Sequence, residues 1–251
     1  LGVGAVATKT YVDDVFSTYV YTGDGTARTI NNGINLSEHG GLVWAKRRPG
    51  SPAASHYLTD SETGLNKYLS TNGSQSQQNV YASNYGIQSF NTNGYSWGLD
   101  GAYENNDEMV NWTFRKAPGF FTCLSYVGNG TARSISHDLG CVPGLIITKS
   151  TSESGNWNVY HRSLGASKLL ELQANNAASE PSGYSPWNGT EPTSTHFSLG
   201  PGNGPEFNKN GTTYICYLFA GGESAAATAR SVDFDGANDE LTCSESYIPN
   251  T

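Results

Sequence analysis

The chain has 251 residues, of which 36% are hydrophobic and 14% charged, and it carries a net charge of −8. That balance excludes a nucleic-acid binder working through clustered Lys and Arg, and no run of 18 apolar residues offers a membrane-spanning helix. Thirty glycines alongside abundant Ser, Thr and Asn disfavour long helices and favour short strands with tight turns, while 15 tyrosines supply rings for half-buried sheet faces.

The first element predicted along the chain is a helix over residues 8–17. Tyr11, Val12, Val15 and Phe16 fall at helical spacing behind Thr8, a suitable N-cap. A helix this short is marginal alone, so its apolar stripe must pack, either on the chain's own first domain or on a second copy of the chain. Residues 1–16 are therefore read as an attachment segment.

Tyr21 to Ile30 then carries Gly-Asp-Gly between a Tyr-bearing run and Thr-Ala-Arg-Thr-Ile, which predicts a two-residue hairpin turn. Gly41 to Lys46 reads as a strand. The basic cluster Lys46, Arg47 and Arg48 precedes Pro49 and Gly50, as at a strand exit into a solvated loop. Tyr95 and Trp97 lie among Asn91, Asn93 and Ser96, and sugars stack on rings flanked by amides and hydroxyls; the alternative is that these rings close the sandwich core. Asp100, Glu104, Asp107 and Glu108 are the carboxylates that a glycan-cleaving site would draw on. Their Gly- and Asn-rich setting also suits solvated turns. Val110, Trp112 and Phe114 alternate with Asn111, Thr113 and Arg115, as on a strand with one wet face.

After a short turn at residues 116–119 the chain repeats itself. Tyr126 to Ile135 matches Tyr21 to Ile30 at a spacing of 105, and Gly144 to Lys149 matches Gly41 to Lys46. Gly165 to Leu170 follows Gly64 to Leu69, and Ile215 to Phe219 follows Val110 to Phe114. Four blocks in one order imply a duplicated unit. We expect an all-β protein of two tandem antiparallel β-sandwich domains, jelly-roll-like, over 17–118 and 119–222.

The second copy has its own aromatic pair, Tyr184 and Trp187, among Ser182, Ser185 and Asn188, and its only carboxylate matching the acidic stretch is Glu206. Tyr214, Cys216 and Leu218 fill the strand face that is polar in the first copy. That strand should be covered on both sides, by the first copy or by another subunit, which makes these residues and the N-terminal stripe candidates for an assembly interface. Residues 223–251 read as a linker followed by the first strand of a further β domain. There Asp233, Asp235, Asn238 and Asp239 could offer oxygens to calcium or simply form a turn.

Reactive chemistry is scarce. The four cysteines share no CxxC spacing, the five histidines lack metal-ligand spacing, and neither a Gly-x-Ser-x-Gly elbow nor a phosphate-binding Gly loop occurs. We expect no cofactor, no metal and no catalysis.

The Tyr-Thr/Val-Gly-Asp/Asn-Gly-Thr turn, the Gly-Leu-Val/Ile-Trp/Ile-Ala/Thr-Lys strand and the segment Trp157 to His161 together resemble an uncharacterised β-rich domain of marine phage (cyanophage) tail and fibre proteins. The likeness covers both copies. Ala7 to Asp14 is similar to a short segment of phage fibre proteins, and Ser231 to Leu241 resembles the opening strand of concanavalin-like (laminin-G-like) domains. The resemblance implies a virion structural protein of a tail or fibre, assembling with itself as a homotrimer and with other virion proteins, and reaching towards a host surface glycan. A carbohydrate-binding receptor module is the alternative, and a glycan depolymerase the third.

Overall fold

The computed structural model describes residues 10–48, 54–99, 105–181, 185–202 and 206–222. Short Thr-, Tyr- and Val-rich runs become strands because branched and aromatic side chains fit a pleated, half-buried surface. Residues 10–115 form α1 (Val12–Val15), β1 (Phe16–Asp24), β2 (Arg28–Asn31), α2 (Leu36–His39), β3 (Gly41–Arg47), β4 (Tyr57–Asp60), β5 (Lys67–Tyr68), β6 (Gln78–Asn79), β7 (Ile87–Asn91), β8 (Gly94–Trp97) and β9 (Asn105–Arg115). Beyond them come β10 (Phe121–Val127), β11 (Arg133–Ser136), β12 (Pro143–Ser150), β13 (Asn158–His161), β14 (Leu170–Glu171), β15 (His196–Leu199) and β16 (Thr213–Ala220). All pairings are antiparallel, and the chain is an all-β sandwich protein.

Each half builds a large sheet and a small one, and β5 pairs with β6 as a further two-stranded sheet in the first half. The large sheets run β1-β9-β3-β4 and β10-β16-β12-β13-β14, and the small ones β2-β8-β7 and β11-β15. Between the sheets of the first half lie Ile30, Val43, Tyr57, Tyr95, Trp97 and Met109. Tyr126, Ile146, Tyr160, Trp187, Phe197 and Leu218 fill the corresponding space in the second half. A third cluster joins Leu42, Leu58 and Leu69 to Phe121, Ile147, Trp157, Ile215 and Tyr217, so the two large sheets also pack against each other. The described chain is thus four layers deep with three cores, the middle one being a seam between the halves.

Several sequence expectations need correction. The Gly-Asp-Gly hairpin does not form: β1 pairs with β9 and β2 with β8, so the turn carries the chain from the large sheet to the small one. Asp24 Oδ1 accepts the Thr26 N–H and hydroxyl at 3.0 and 2.7 Å, and Asn129 Oδ1 accepts the Thr131 N–H at 3.0 Å. The following glycine has φ near +75° in both halves (Gly25, Gly130). After each turn an arginine folds back over a tyrosine ring, Arg28 over Tyr21 at 4.5 Å and Arg133 over Tyr126 at 5.6 Å. The Gly-Asp-Gly signal therefore marked a sheet-crossing Asx turn clamped by a cation–π contact.

The N-terminal helix is one turn, Val12–Val15, with the Tyr11 N–H donating to Asp14 Oδ2 at 2.8 Å. Two β-branched valines and two aspartates give it little reason to continue. Phe16 belongs to β1, opposite Phe114, with ring centroids 4.9 Å apart. Val15 is buried, whereas Tyr11 and Val12 are exposed, so the expected stripe is split between the core and solvent.

The alternation of β9 is inverted. Asn111 and Thr113, expected on the wet face, are fully buried inside the first half, while Trp112 is half-buried. Asn111 Nδ2 donates to the Tyr95 hydroxyl, and Asn32 Nδ2 donates to the Thr113 hydroxyl at 2.9 Å. The second half shows why. Ile30 faces Tyr95 across one small sheet, and its equivalent Ile135 faces Phe197 across the other. Where Tyr95 has a hydroxyl, Asn111 meets it; where Phe197 has none, the matching position is Cys216. Polar pairs with polar and apolar with apolar, as burial requires.

On β16, Tyr214, Cys216 and Leu218 lie in the core of the second half, and Ile215 and Tyr217 lie in the seam. The strand is covered on both faces, and its outer cover is the first half of the same chain. The three residues proposed for subunit assembly are fully buried and offer no surface to another subunit.

The seam is mainly apolar but encloses a buried carboxylate. The Tyr217 hydroxyl donates at 2.8 Å to Asp60 Oδ2, both groups being buried. Asp60 also accepts the Glu62 and Thr63 N–H groups at 2.9 and 2.8 Å and the Thr63 hydroxyl at 2.9 Å. Burial pushes its pKa up, and these hydrogen bonds hold it back. Tyr217→Phe removes one donor from a buried carboxylate, and we expect a loss of about 1–3 kcal/mol in urea unfolding with the m-value unchanged.

Candidate functional site

Three aromatic residues singled out for sugar stacking are core residues. Tyr95, Trp97 and Trp187 are 0, 1 and 1% exposed, with Trp97 packed on Tyr57 and Trp187 on Tyr160. None presents a face to solvent. Tyr184 lies outside the described residues, as do Asp100 and Glu104 of the carboxylate group and all of residues 223–251, including Asp233, Asp235, Asn238 and Asp239. The remaining carboxylates of the acidic stretch serve the fold. Asp107 meets Arg47 at 2.9 Å and Glu108 meets the exposed Arg48 at 3.6 Å, while Lys46 donates to the Arg47 carbonyl, so β9 pairs with two of the three basic residues at the strand exit.

Other reactive groups are likewise occupied or shielded. Among the described residues no set of three or more His, Cys, Asp or Glu side chains could hold a metal ion. Cys123, Cys141 and Cys216 are free thiols whose pKa values burial pushes up, which leaves them poor nucleophiles. A cavity of about 460 Å³ beside β13 is lined by Cys141, Tyr160, Arg162 and Glu191. Both oxygens of Glu191 are already engaged, by the Tyr160 hydroxyl at 2.5 Å and the Ala166 N–H at 2.8 Å, so this carboxylate ties a loop down.

The most distinctive constellation sits where the seam meets solvent. The 70–77 loop leaves the first half and lies on the second. The Trp157 indole N–H donates to the carbonyls of Ser70 and Gly73 at 3.0 and 3.1 Å. The Gly155 N–H reaches the Ser74 carbonyl at 2.8 Å, and the Gln77 N–H reaches that of Thr151 at 3.0 Å. Lys149, fully buried on β12, donates to the carbonyls of Ser74 at 3.3 Å and Ser150 at 2.8 Å. The second half therefore fixes the loop's backbone at several points.

That loop walls a cleft of about 310 Å³ with Ser55, Tyr68, Ser70, Asn72, Gln75 and Gln78 on its lining. Tyr68 lies flat on Tyr57, centroids 4.5 Å apart and planes 13° apart, and Tyr57 in turn packs on Trp97 at 5.2 Å. Asn72 is held by the His56 N–H and by Ser55 at 3.2 Å each. His56 Nδ1 accepts from the Trp44 indole at 2.8 Å, and burial lowers its pKa, which favours the neutral ring. Among the described residues the lining is amide, hydroxyl and phenol, with no charged side chain. Sequence reasoning missed this cleft. Its signal was the run from Ser70 to Gln78, rich in Ser, Asn and Gln directly after a tyrosine, which reads as an ordinary loop until its fold is known.

Two measurements probe this arrangement. Trp157→Phe keeps a ring but deprives two carbonyls of their donor, and should cost about 2–3 kcal/mol; amide hydrogen exchange should accelerate at Gln77 and Gly155. Burial lowers the Lys149 pKa from 10.5 to about 8. The folded state then binds fewer protons than the unfolded chain between those values, so this group makes stability rise with pH from about 8 to about 10.5 and fall as pH drops back. Relative to Lys149→Met, the native chain should gain up to about 3 kcal/mol across that window, read as the difference between paired urea titrations.

No curated protein and no solved structure matches the chain. Residues 12–229 match the model of a domain of unknown function, DUF7483, across both sandwiches and the seam. The chain therefore belongs to the DUF7483 family.

Proposed function

We propose that the chain is a non-catalytic structural component of a phage tail or fibre, a rigid spacer in the apparatus that meets the host. The seam carries this reading. Two sandwiches joined only by a short turn could swing, but here their large sheets share a buried aromatic core in which Phe114 packs on Phe121 and Phe219 at 5.6 and 5.5 Å. Such an interface transmits position and force without a hinge. The resemblance to marine phage tail proteins supplies the setting, and the scarcity of charge suits a part that works through packed surfaces.

As a fibre component the chain would assemble with itself, as a trimer, and with other virion proteins. The buried β16 residues cannot mediate this. The exposed apolar side chains at the start of the first half can: Tyr11 and Val12 are 62 and 70% exposed, and Val20, on the edge strand β1, is 57% exposed. Among the described residues no helix is long and apolar enough to cross a membrane.

Native mass spectrometry against the denatured mass tests the assembly. We expect a threefold ratio for the native chain and a monomer for Val12→Asp combined with Val20→Asp, with an unchanged melting temperature. Immunogold labelling of particles should mark the tail. A monomer at all concentrations with unlabelled particles, or release of reducing sugar from host glycans, overturns the reading.

A further inference from the structure

We propose that the cleft walled by the 70–77 loop is a binding site for a neutral saccharide, with Tyr68 as its platform and Asn72, Gln75 and Gln78 as its hydrogen-bonding groups. The inference is independent of the spacer reading, since it rests on the chemistry of the cleft alone.

The lining selects the ligand class. Among the described residues no carboxylate, ammonium or guanidinium borders the space, so none of them compensates a phosphate, a carboxylate or a cation. Side-chain amides and hydroxyls each offer both a donor and an acceptor, which matches a ligand whose hydroxyls do the same on adjacent carbons. The Tyr68 hydroxyl and the Gln75 amide make no hydrogen bond among the described residues. Gln78 Nε2 is engaged only with Ser76, its carbonyl at 2.9 Å and its hydroxyl at 3.5 Å. Unspent capacity of this kind beside a half-buried ring suits a sugar, which shows hydroxyls at its rim and C–H groups on its face. A volume of about 310 Å³ stands at the small end of ligand pockets, enough for one or two sugar rings.

The site is also preorganised. Behind Tyr68 stand Tyr57 and the buried Trp97, so the platform rests on the core of the first half. Opposite, Trp157, Gly155 and Lys149 of the second half pin the loop's carbonyls, while Asn72 is oriented by His56 and Ser55 and the Gln75 amide is left for the ligand. A loop held by its backbone loses little further entropy on binding. The first half therefore supplies the described lining of the cleft, and the second half fixes the backbone of the loop that carries most of it.

The test is a two-dimensional NMR titration of the full chain with glucose, galactose, N-acetylglucosamine, cellobiose, lactose and di-N-acetylchitobiose, and with glucuronic acid as a charged comparator. We expect saturable amide shifts confined to residues 55 and 68–78 with at least one neutral sugar. The exposed double variant Gln75→Ala, Gln78→Ala should weaken that affinity by at least about tenfold while keeping the native melting temperature. Tyr68→Leu, which removes the ring and keeps an apolar side chain over Tyr57, should do the same. No saturable shift with any neutral sugar up to roughly 10 mM, shifts centred elsewhere, tighter binding of glucuronic acid, or an affinity indifferent to both variants overturns the proposal.

Discussion

A strand that is apolar on both faces has to be covered on both faces, and β16 is that strand. Tyr214, Cys216 and Leu218 point into one core and Ile215 and Tyr217 into another, so the second half cannot shield its own large sheet. The first half supplies the cover. Once its sheet lies there, Asp60 is shut away from water and needs the Tyr217 hydroxyl, and the 70–77 loop finds the Trp157 and Lys149 donors within reach. The cleft is a by-product of that closure, because its outer wall is the same loop.

The halves share a strand order but not their environments, and the differences track what each part must satisfy. Tyr95 with Asn111 in one core becomes Phe197 with Cys216 in the other, a hydrogen-bonded polar pair exchanged for an apolar one. The loops after β5 and β14 diverge more. In the first half the loop crosses to the partner sheet. In the second, Leu172 donates back to Trp157 and Gln173 Oε1 accepts the Trp157 N–H, so the loop stays on its own strand. Twofold regularity is thereby broken at the seam, and the cleft walled by the 70–77 loop lies where the crossing occurs.

Burial also changes what the titratable groups can do. Asp60, Lys149 and the three described thiols are displaced from their ordinary pKa values chiefly by loss of water. Lys149 faces carbonyls rather than a carboxylate, so its charge is solvated by backbone dipoles and remains costly. Asp60 and Lys149 sit where the halves meet, Cys216 sits in the core of the second half and Cys141 lines the cavity beside β13, so a shifted group reads as a functional signal only together with what its surroundings can bind.

Composition and repetition by themselves determined the all-β class and the recurring blocks, because turn formers and alternating branched or aromatic residues act locally and carry their consequences in a few neighbouring positions. The Gly-Asp-Gly turn shows the limit of that local reading: its backbone geometry was legible, but whether it joins paired strands or crosses between sheets depends on which strands β1 and β2 later meet. The inward face of β9 was misread for the same reason, since the hydroxyl that makes Asn111 a core residue sits on another sheet. Tyr95, Trp97 and Trp187 had the right chemistry for a ligand and the wrong location, whereas the Ser70 to Gln78 run looked like any polar loop. Only the tertiary structure decided which rings face water and which amides gather around one, because that depends on long-range packing of one half against the other, and no short stretch of sequence records it.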